Sequence, residues 1–281
     1  MSKRPEYIAP PELFYNDDEA KKYANNSRIL DIQTKMSERA IELLNIQDDK
    51  PLMVLDIGCG SGISGEVLTD KGHHWVGVDI SSSMLDVANK AEVSGDLFEW
   101  DMGQGLSFRV GTFDAAISIS AVQWLCNADK KSHSPQKRLH EFFSGLYRCL
   151  RKGARAVLQF YPENSKQSEL ITQAAMRAGF GGGMVVDFPH STRAKKYFLC
   201  LFAGEPNYKV PKAKEEGEEE EERTTVRNIS EVRERRRKLG KRAPINSKEW
   251  ILGKKERQRK QGKEVARDSK YSGRKRRIKF A

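Results

Sequence analysis

The sequence predicts an α/β fold, a mostly parallel sheet with helices on its faces. Two observations carry this. Short apolar runs alternate with amphipathic stretches across residues 52–161, and a glycine-rich turn joins the first apolar run to the first amphipathic one. Leu52–Ile57 reads as a buried strand, followed by a helix near 62–71. His74–Asp79 is a second strand, and Ser81 is placed to cap a helix carrying Met84, Leu85, Val87 and Ala88. A short strand fits 95–100, and Phe113–Ile119 is a strong one. Pro135 opens a helix whose apolar face is Leu139, Phe142, Phe143, Leu146 and Leu150. Gly153 is read as its end, with a strand returning at 156–161. Asn164 or Ser165 caps a helix to about Ala178, and strands are expected near 184–188 and 197–203. Ahead of the first strand, residues 28–46 have helical periodicity.

The chain has 281 residues, 50 Lys+Arg against 39 Asp+Glu, and a formal net charge of +11. That charge is not spread evenly. Residues 1–203 carry a net −1, residues 204–222 a net −5, and residues 223–281 a net +17. The body is therefore near neutral, which excludes a uniformly basic, histone-like protein. The organisation expected is an N-terminal helical segment (1–50), a ligand-binding domain (51–204), an acidic linker (205–222) and a basic tail (223–281). The tail has too few apolar residues for a core of its own and is read as disordered, with one transient helix near 247–261 around Trp250, Ile251 and Leu252. Seven basic residues in Arg233–Arg242 and six in Lys254–Lys263 suit phosphate binding and a nuclear import signal. The N-terminus has no apolar signal segment, and no apolar run approaches the roughly 18 residues of a membrane span. Cys59, Cys126, Cys149 and Cys200 are dispersed, which argues against a zinc site or a disulfide framework and fits a reducing compartment.

The glycine turn reads Asp56-Ile57-Gly58-Cys59-Gly60-Ser61-Gly62, and Asp79 follows Gly58 by 21 residues at the end of the next strand. Glycines admit a ligand close to the backbone, and an acidic residue at that distance suits both hydroxyls of a ribose. Dinucleotide sites use G-x-G-x-x-G to meet a pyrophosphate. Here the spacing is G-x-G-x-G behind an aspartate, which repels a pyrophosphate and suits an ammonium. A ligand with an ammonium, a sulfonium, a ribose and no phosphate is S-adenosylmethionine.

These residues resemble the Rossmann-like, seven-stranded S-adenosylmethionine-dependent methyltransferases, through Leu55–Gly62 and Val78-Asp79-Ile80-Ser81. Within them, Pro10–Tyr15, Ser118–Asn127, Tyr161–Ser165 and Tyr271–Arg277 resemble the eukaryotic small-subunit (18S) ribosomal RNA guanine-N7 methyltransferases. The resemblance implies seven strands with the last antiparallel, a nuclear role in ribosome maturation on a pre-small-subunit particle, and a small zinc-binding activator subunit at the edge of the third strand. It also implies that Asp101-Met102 forms an adenine-binding turn, and that the segment holding Tyr15 and Tyr23 covers the cofactor. Cofactor contacts are thus expected from Asp56, Gly58, Cys59, Gly60, Gly62, Asp79, Ile80, Asp101, Met102 and Tyr15, with no metal.

The chemistry after the fourth strand is read partly by elimination. The stretch lacks the Asn/Asp-Pro-Pro-aromatic motif of exocyclic-amine methylation and the Pro-Cys nucleophile of pyrimidine-carbon methylation. Gln123-Trp124-Leu125-Cys126-Asn127 stands there instead. Trp124 and Tyr161 are candidates for placing a base, with no general base required for guanine N7. Trp124 equally suits a core plug, Tyr15 and Tyr23 equally suit helix packing, and Cys59 doubles as a small packing residue. Two other functions are compatible with the sequence. One is an assembly factor using the fold as a docking surface for RNA or protein; the other is a small-molecule methyltransferase, for which the basic tail is superfluous.

Overall fold

The alternating apolar runs assemble into a seven-stranded sheet of order β3-β2-β1-β4-β5-β7-β6. The strands are β1 (Met53–Ile57), β2 (His74–Asp79), β3 (Asp96–Glu99), β4 (Phe113–Ile119), β5 (Leu150–Phe160), β6 (Phe180–Asp187) and β7 (Lys196–Ala203). β7 runs antiparallel to β5 and β6, and the remaining pairings are parallel. The helices are α1 (Pro11–Phe14), α2 (Asp17–Asn25), α3 (Ser27–Leu44), α4 (Ile63–Asp70), α5 (Ser82–Lys90), α6 (Pro135–Cys149) and α7 (Ser165–Arg177). This computed structural model describes residues 4–46, 50–130, 132–191, 194–204 and 211–214, with 248, 251, 252, 255, 256, 259 and 265–268.

Strand side chains alternate between faces, so the sheet feeds two apolar cores. Leu55, Ile57, Ala116 and Leu158 pack beneath α6 and α7 with Leu139, Phe142, Phe143 and Ile171. Val54, Ala115, Ile117 and Val157 pack on the other side with Met36, Ala40 and Leu44 of α3 and with Val67 and Leu68 of α4. The same alternation puts Asp56 on the Val54 side, where it is wholly buried.

Capping matches the expected starts. Ser81 Oγ accepts from Met84 N–H (3.2 Å), Asn164 Oδ1 from Gln167 N–H (2.9 Å), and Pro135 begins α6. Ahead of α3, where only one helix was expected, α1 and α2 also form. Asn16 caps α2 through Asp18 and Glu19, and Asn26 both ends α2 and caps α3.

Two strand boundaries differ from the sequence reading. β5 begins at Leu150, directly after α6, so Gly153 is not the helix end. It lies inside the strand, opposite a register shift between Phe113 and Ala115 on β4. β6 begins at Phe180 and absorbs Gly181-Gly182-Gly183, four residues before the expected start. A Cβ on Gly182 would lie 2.0 Å from the Cys200 carbonyl oxygen of β7, so glycine there permits close backbone approach.

The chain divides into two compact units, 1–216 and 217–281. In the first, 211–214 returns to the end of β6. Asp187 Oδ1 accepts from Lys214 N–H (2.8 Å), Phe188 N–H donates to the Lys214 carbonyl (2.9 Å), and Arg39 bridges Asp187 and the Lys212 carbonyl. In the second, Lys248, Ile251, Leu252, Lys255, Glu256 and Arg259 are helical, within the stretch expected to form a helix. Lys255 and Arg259 both pair with Asp268. The acidic run 215–222 and most of the tail expected to be disordered lie outside the described residues. Among the described residues, no helix is long and apolar enough to cross a membrane.

Candidate cofactor and substrate site

Parallel strands leave their carboxyl ends open beside the loops that follow, and this is where α/β folds bind ligands. A cavity of about 430 Å³ lies there, under a roof formed by the N-terminal segment. Of the residues singled out from sequence, Tyr15, Gly58, Cys59, Gly60, Asp79, Ile80, Asp101, Met102, Trp124 and Tyr161 line it. Asp56 and Gly62 stand outside the lining.

The glycine turn is tied to β2. Gly58 and Cys59 N–H donate to the Val78 carbonyl, and Gly60 N–H donates to Asp79 Oδ2 (2.8 Å). Asp79 Oδ1 accepts from Ser81 N–H (2.8 Å). Each carboxylate oxygen keeps a second lone pair for a ribose hydroxyl. Burial raises the Asp79 pKa, and the backbone N–H groups of Ser81, Gly60 and Ile80 oppose that rise. Gly58 has φ +71°, and a Cβ there would meet the Ala121 Cβ at 2.3 Å. Gly62 (φ +82°) opens α4 in the left-handed region and faces Val93 and Ala88, outside the cavity lining.

Asp56 acts from beneath the turn. Its Oδ2 accepts from Ser64 Oγ (2.6 Å), while Oδ1 is buried with no hydrogen-bond partner among the described residues. Burial pushes its pKa up to about 7; the Ser64 bond opposes the rise and the Asp79 charge adds to it. Ser61 Oγ, in the cavity wall, is likewise buried without a partner. A buried acceptor beneath the turn and a buried hydroxyl in the cavity wall fit the ammonium and carboxylate of an amino acid, and Asp79 in the lining fits a ribose. The residues present therefore fit S-adenosylmethionine. Burial raises the Cys59 pKa well above the ordinary value and that of Cys126 to about 12, so both thiols are packing groups. Among the described residues, no group of His, Cys, Asp and Glu is arranged to hold a metal ion.

Asp101 does not stand alone in the cavity wall. Its Oδ1 accepts from Gly103 N–H (2.8 Å) and from Arg138 Nη2 (2.6 Å). Arg138, nearly buried, fills the space a Cβ on Gly103 would occupy and also reaches His133 Nδ1 (3.0 Å). Sequence reasoning missed Arg138; its only signal was a charged residue on the buried side of α6, one position before Leu139.

The roof explains Trp124 and Tyr15. Trp124 packs its ring 6.0 Å from Tyr15 and 6.2 Å from Phe14, and Tyr15 meets Tyr23 edge-on. Trp124 thus packs and lines the cavity at once. The segment is pinned at both ends. Ser81 Oγ donates to the Tyr15 carbonyl (2.8 Å), Ser83 Oγ to Asp17 (2.6 Å), and Arg4 to the Tyr161 and Pro162 carbonyls (3.1 Å each). Burial, with the Asp79 and Glu6 charges, raises the Tyr15 pKa and keeps its phenol protonated. Ser81→Ala removes a helix cap and a roof pin together. It is expected to lower stability by about 1 kcal/mol in urea unfolding and to speed proteolysis within residues 4–25.

A family model described as a methyltransferase domain matches residues 55–158, and one described as a methyltransferase involved in Williams-Beuren syndrome matches residues 201–278. A probable 18S rRNA (guanine-N(7))-methyltransferase of Dictyostelium discoideum is 59% identical over 99% of both chains. The 18S rRNA (guanine-N(7))-methyltransferase of Mus musculus is 56% identical and the 18S rRNA (guanine(1575)-N(7))-methyltransferase of Saccharomyces cerevisiae 50% identical, each over 99% of both chains. Among solved structures, magnesium protoporphyrin IX methyltransferase from Synechocystis aligns with a TM-score of 0.51 at 18% identity, over 72% of this chain and 98% of its own. That likeness shows the fold. The full-length identities show more: the chain belongs to the 18S rRNA (guanine-N7)-methyltransferase family.

Proposed function

We propose that this protein transfers a methyl group from S-adenosylmethionine to N7 of a guanine in small-subunit ribosomal RNA, during maturation of the small subunit. The observation that carries it is the cavity itself. Ser61 Oγ, unpaired among the described residues, stands in its wall above the unpaired Oδ1 of Asp56, Asp79 holds two backbone N–H groups, and Trp124 and Tyr161 line the remainder. When bound, S-adenosylmethionine supplies an electrophilic methyl group on a positively charged sulfur.

The chain's own residues supply position and electrostatics. Asp79 with the Gly58–Gly60 turn fixes the ribose, Asp101 braced by Arg138 accepts from the adenine amine, and Asp56 with Ser61 takes the amino-acid end. Trp124 and Tyr161 shape the space for an unstacked purine, and the pinned roof excludes water from it. Guanine N7 presents an in-plane lone pair with no proton to remove, so alignment accounts for most of the rate. Mapping methylated guanines in ribosomal RNA with and without the protein tests the reading. A methylation map unchanged by its loss would overturn it.

Three further elements belong to the proposal. The basic tail tethers RNA and carries the nuclear address. Removing residues 223–281 is expected to weaken association with small-subunit RNA about tenfold and to flatten its salt dependence, read by filter binding across a salt series. β3 is an edge strand with Phe98 exposed on it and Trp100 exposed just after it, which supports docking of a small zinc-binding activator subunit there. Nuclear residence follows from the substrate and the tail.

A further inference from the structure

Two buried acceptors in the cavity remain after the cofactor's needs are met. Glu6 Oε2 and Gln123 Oε1 are both buried, both without a hydrogen-bond partner among the described residues, and both residues line the cavity. Gln123 is 4% exposed. Its amide orientation is set by its other end, since Nε2 donates to the Ser120 carbonyl (2.7 Å), which leaves the oxygen facing away from that bond. Glu6 is fixed beside the same turn, Val122–Cys126, because Asn127 Nδ2 donates to its carbonyl (3.3 Å). Leaving two acceptors buried and unpaired in residues that line one cavity is costly unless a ligand supplies donors.

We propose that Glu6 and Gln123 read the guanine: their free oxygens accept from its N1–H and N2–H groups. The inference rests on the guanine-N7 reading above and names the residues that enforce it. In guanine, N1–H and the N2 amine lie on the edge remote from N7. A base gripped by that edge turns N7 toward the methyl donor. Adenine carries a lone pair at N1 and no amine at C2, so it meets the Glu6 carboxylate with repulsion and leaves both acceptors unpaired.

The charge flow of the reaction gives Glu6 a catalytic part as well. As the N7 lone pair bonds to the methyl carbon, the carbon–sulfur bond breaks with its electron pair left on sulfur. Unit positive charge passes to the purine, and its N1–H becomes a stronger donor. A carboxylate already placed at N1–H therefore binds the transition state more tightly than the ground state.

The test uses full-length protein saturated with S-adenosylhomocysteine, and GMP, IMP and AMP as probes, read by saturation-transfer NMR. IMP lacks only the N2 amine. The wild type is expected to bind GMP about fivefold more tightly than IMP and to show no AMP signal. Glu6→Gln is expected to weaken GMP about tenfold while S-adenosylhomocysteine affinity stays within twofold. Gln123→Met, which keeps shape but removes the acceptor, should bring GMP to the IMP level. With ribosomal RNA as substrate, Glu6→Gln should lower kcat more than it raises KM. Equal binding of GMP and AMP by the wild type would overturn the guanine reading itself. A guanine preference that survives both substitutions, or a loss of S-adenosylhomocysteine affinity matching the loss of GMP affinity, would overturn the Glu6 and Gln123 assignment alone.

Discussion

Asp79→Ala is expected to weaken S-adenosylmethionine binding roughly a hundredfold. Two hydrogen bonds from ribose hydroxyls to a carboxylate are lost, each worth about 1.5–3 kcal/mol, and a loss near 3 kcal/mol is about two orders of magnitude. A second effect adds to the first. Gly60 N–H and Ser81 N–H both donate to Asp79, so the glycine turn and the start of α5 lose their common anchor. Asp79→Asn keeps one acceptor oxygen and turns the other into a donor facing those N–H groups, and is expected to lose about tenfold. Isothermal titration with S-adenosylhomocysteine, run beside urea unfolding of the same variants, separates lost affinity from lost fold. An Asp79→Ala protein that unfolds normally and binds within threefold of wild type would remove Asp79 from the ribose.

The parts of the site that were legible in the sequence are those held by local spacing. A strand, a glycine turn and a helix fix Asp56 and the glycines relative to one another, and β2 pairs beside β1 in register, so Asp79 lands against Gly60. The parts that were not legible arrive from elsewhere in the chain. Arg138 reaches Asp101 from α6, 37 residues away, and nothing in the local pattern distinguishes it from other helical arginines. Glu6 is carried in by a roof segment whose path depends on bonds to Ser81, Ser83, Asn127 and Tyr161. Gly62 stands against Val93 and not in the cavity lining, which the sequence does not show because a motif glycine reads alike whether it spares a ligand or a neighbouring side chain. The glycine run before Met184 was placed outside the strand because glycine is poor in strands; the Cys200 carbonyl supplies the reason for it.

Asp56→Asn is expected to stabilise the cofactor-free protein while weakening its grip on the cofactor, and pH separates the two effects. Burial raises the Asp56 pKa from 3.8 to about 7. Below about pH 4 the folded and unfolded chains both hold the proton and the residue contributes no difference. Between pH 4 and 7 the unfolded chain ionises while the folded chain does not, so stability falls as pH rises. Above pH 7 both are ionised and the penalty stays constant, on the order of 4 kcal/mol for a shift of about three units. Asparagine has no such window. The variant's unfolding midpoint should match wild type near pH 3.5 and exceed it at pH 8. An ammonium beside Oδ1 reverses the preference, because it favours the ionised carboxylate. Wild-type affinity for S-adenosylhomocysteine should therefore rise from pH 6 to 8. Binding at pH 6.5 should release a proton, seen as a difference in titration heat between buffers of unequal ionisation enthalpy. Asp56→Asn should abolish both signatures. A wild-type unfolding midpoint that tracks the variant across the whole pH range would mean that the fold leaves Asp56 in the ordinary carboxylate range, ionised at no cost under that turn, and the rise in affinity from pH 6 to 8 would then have another source.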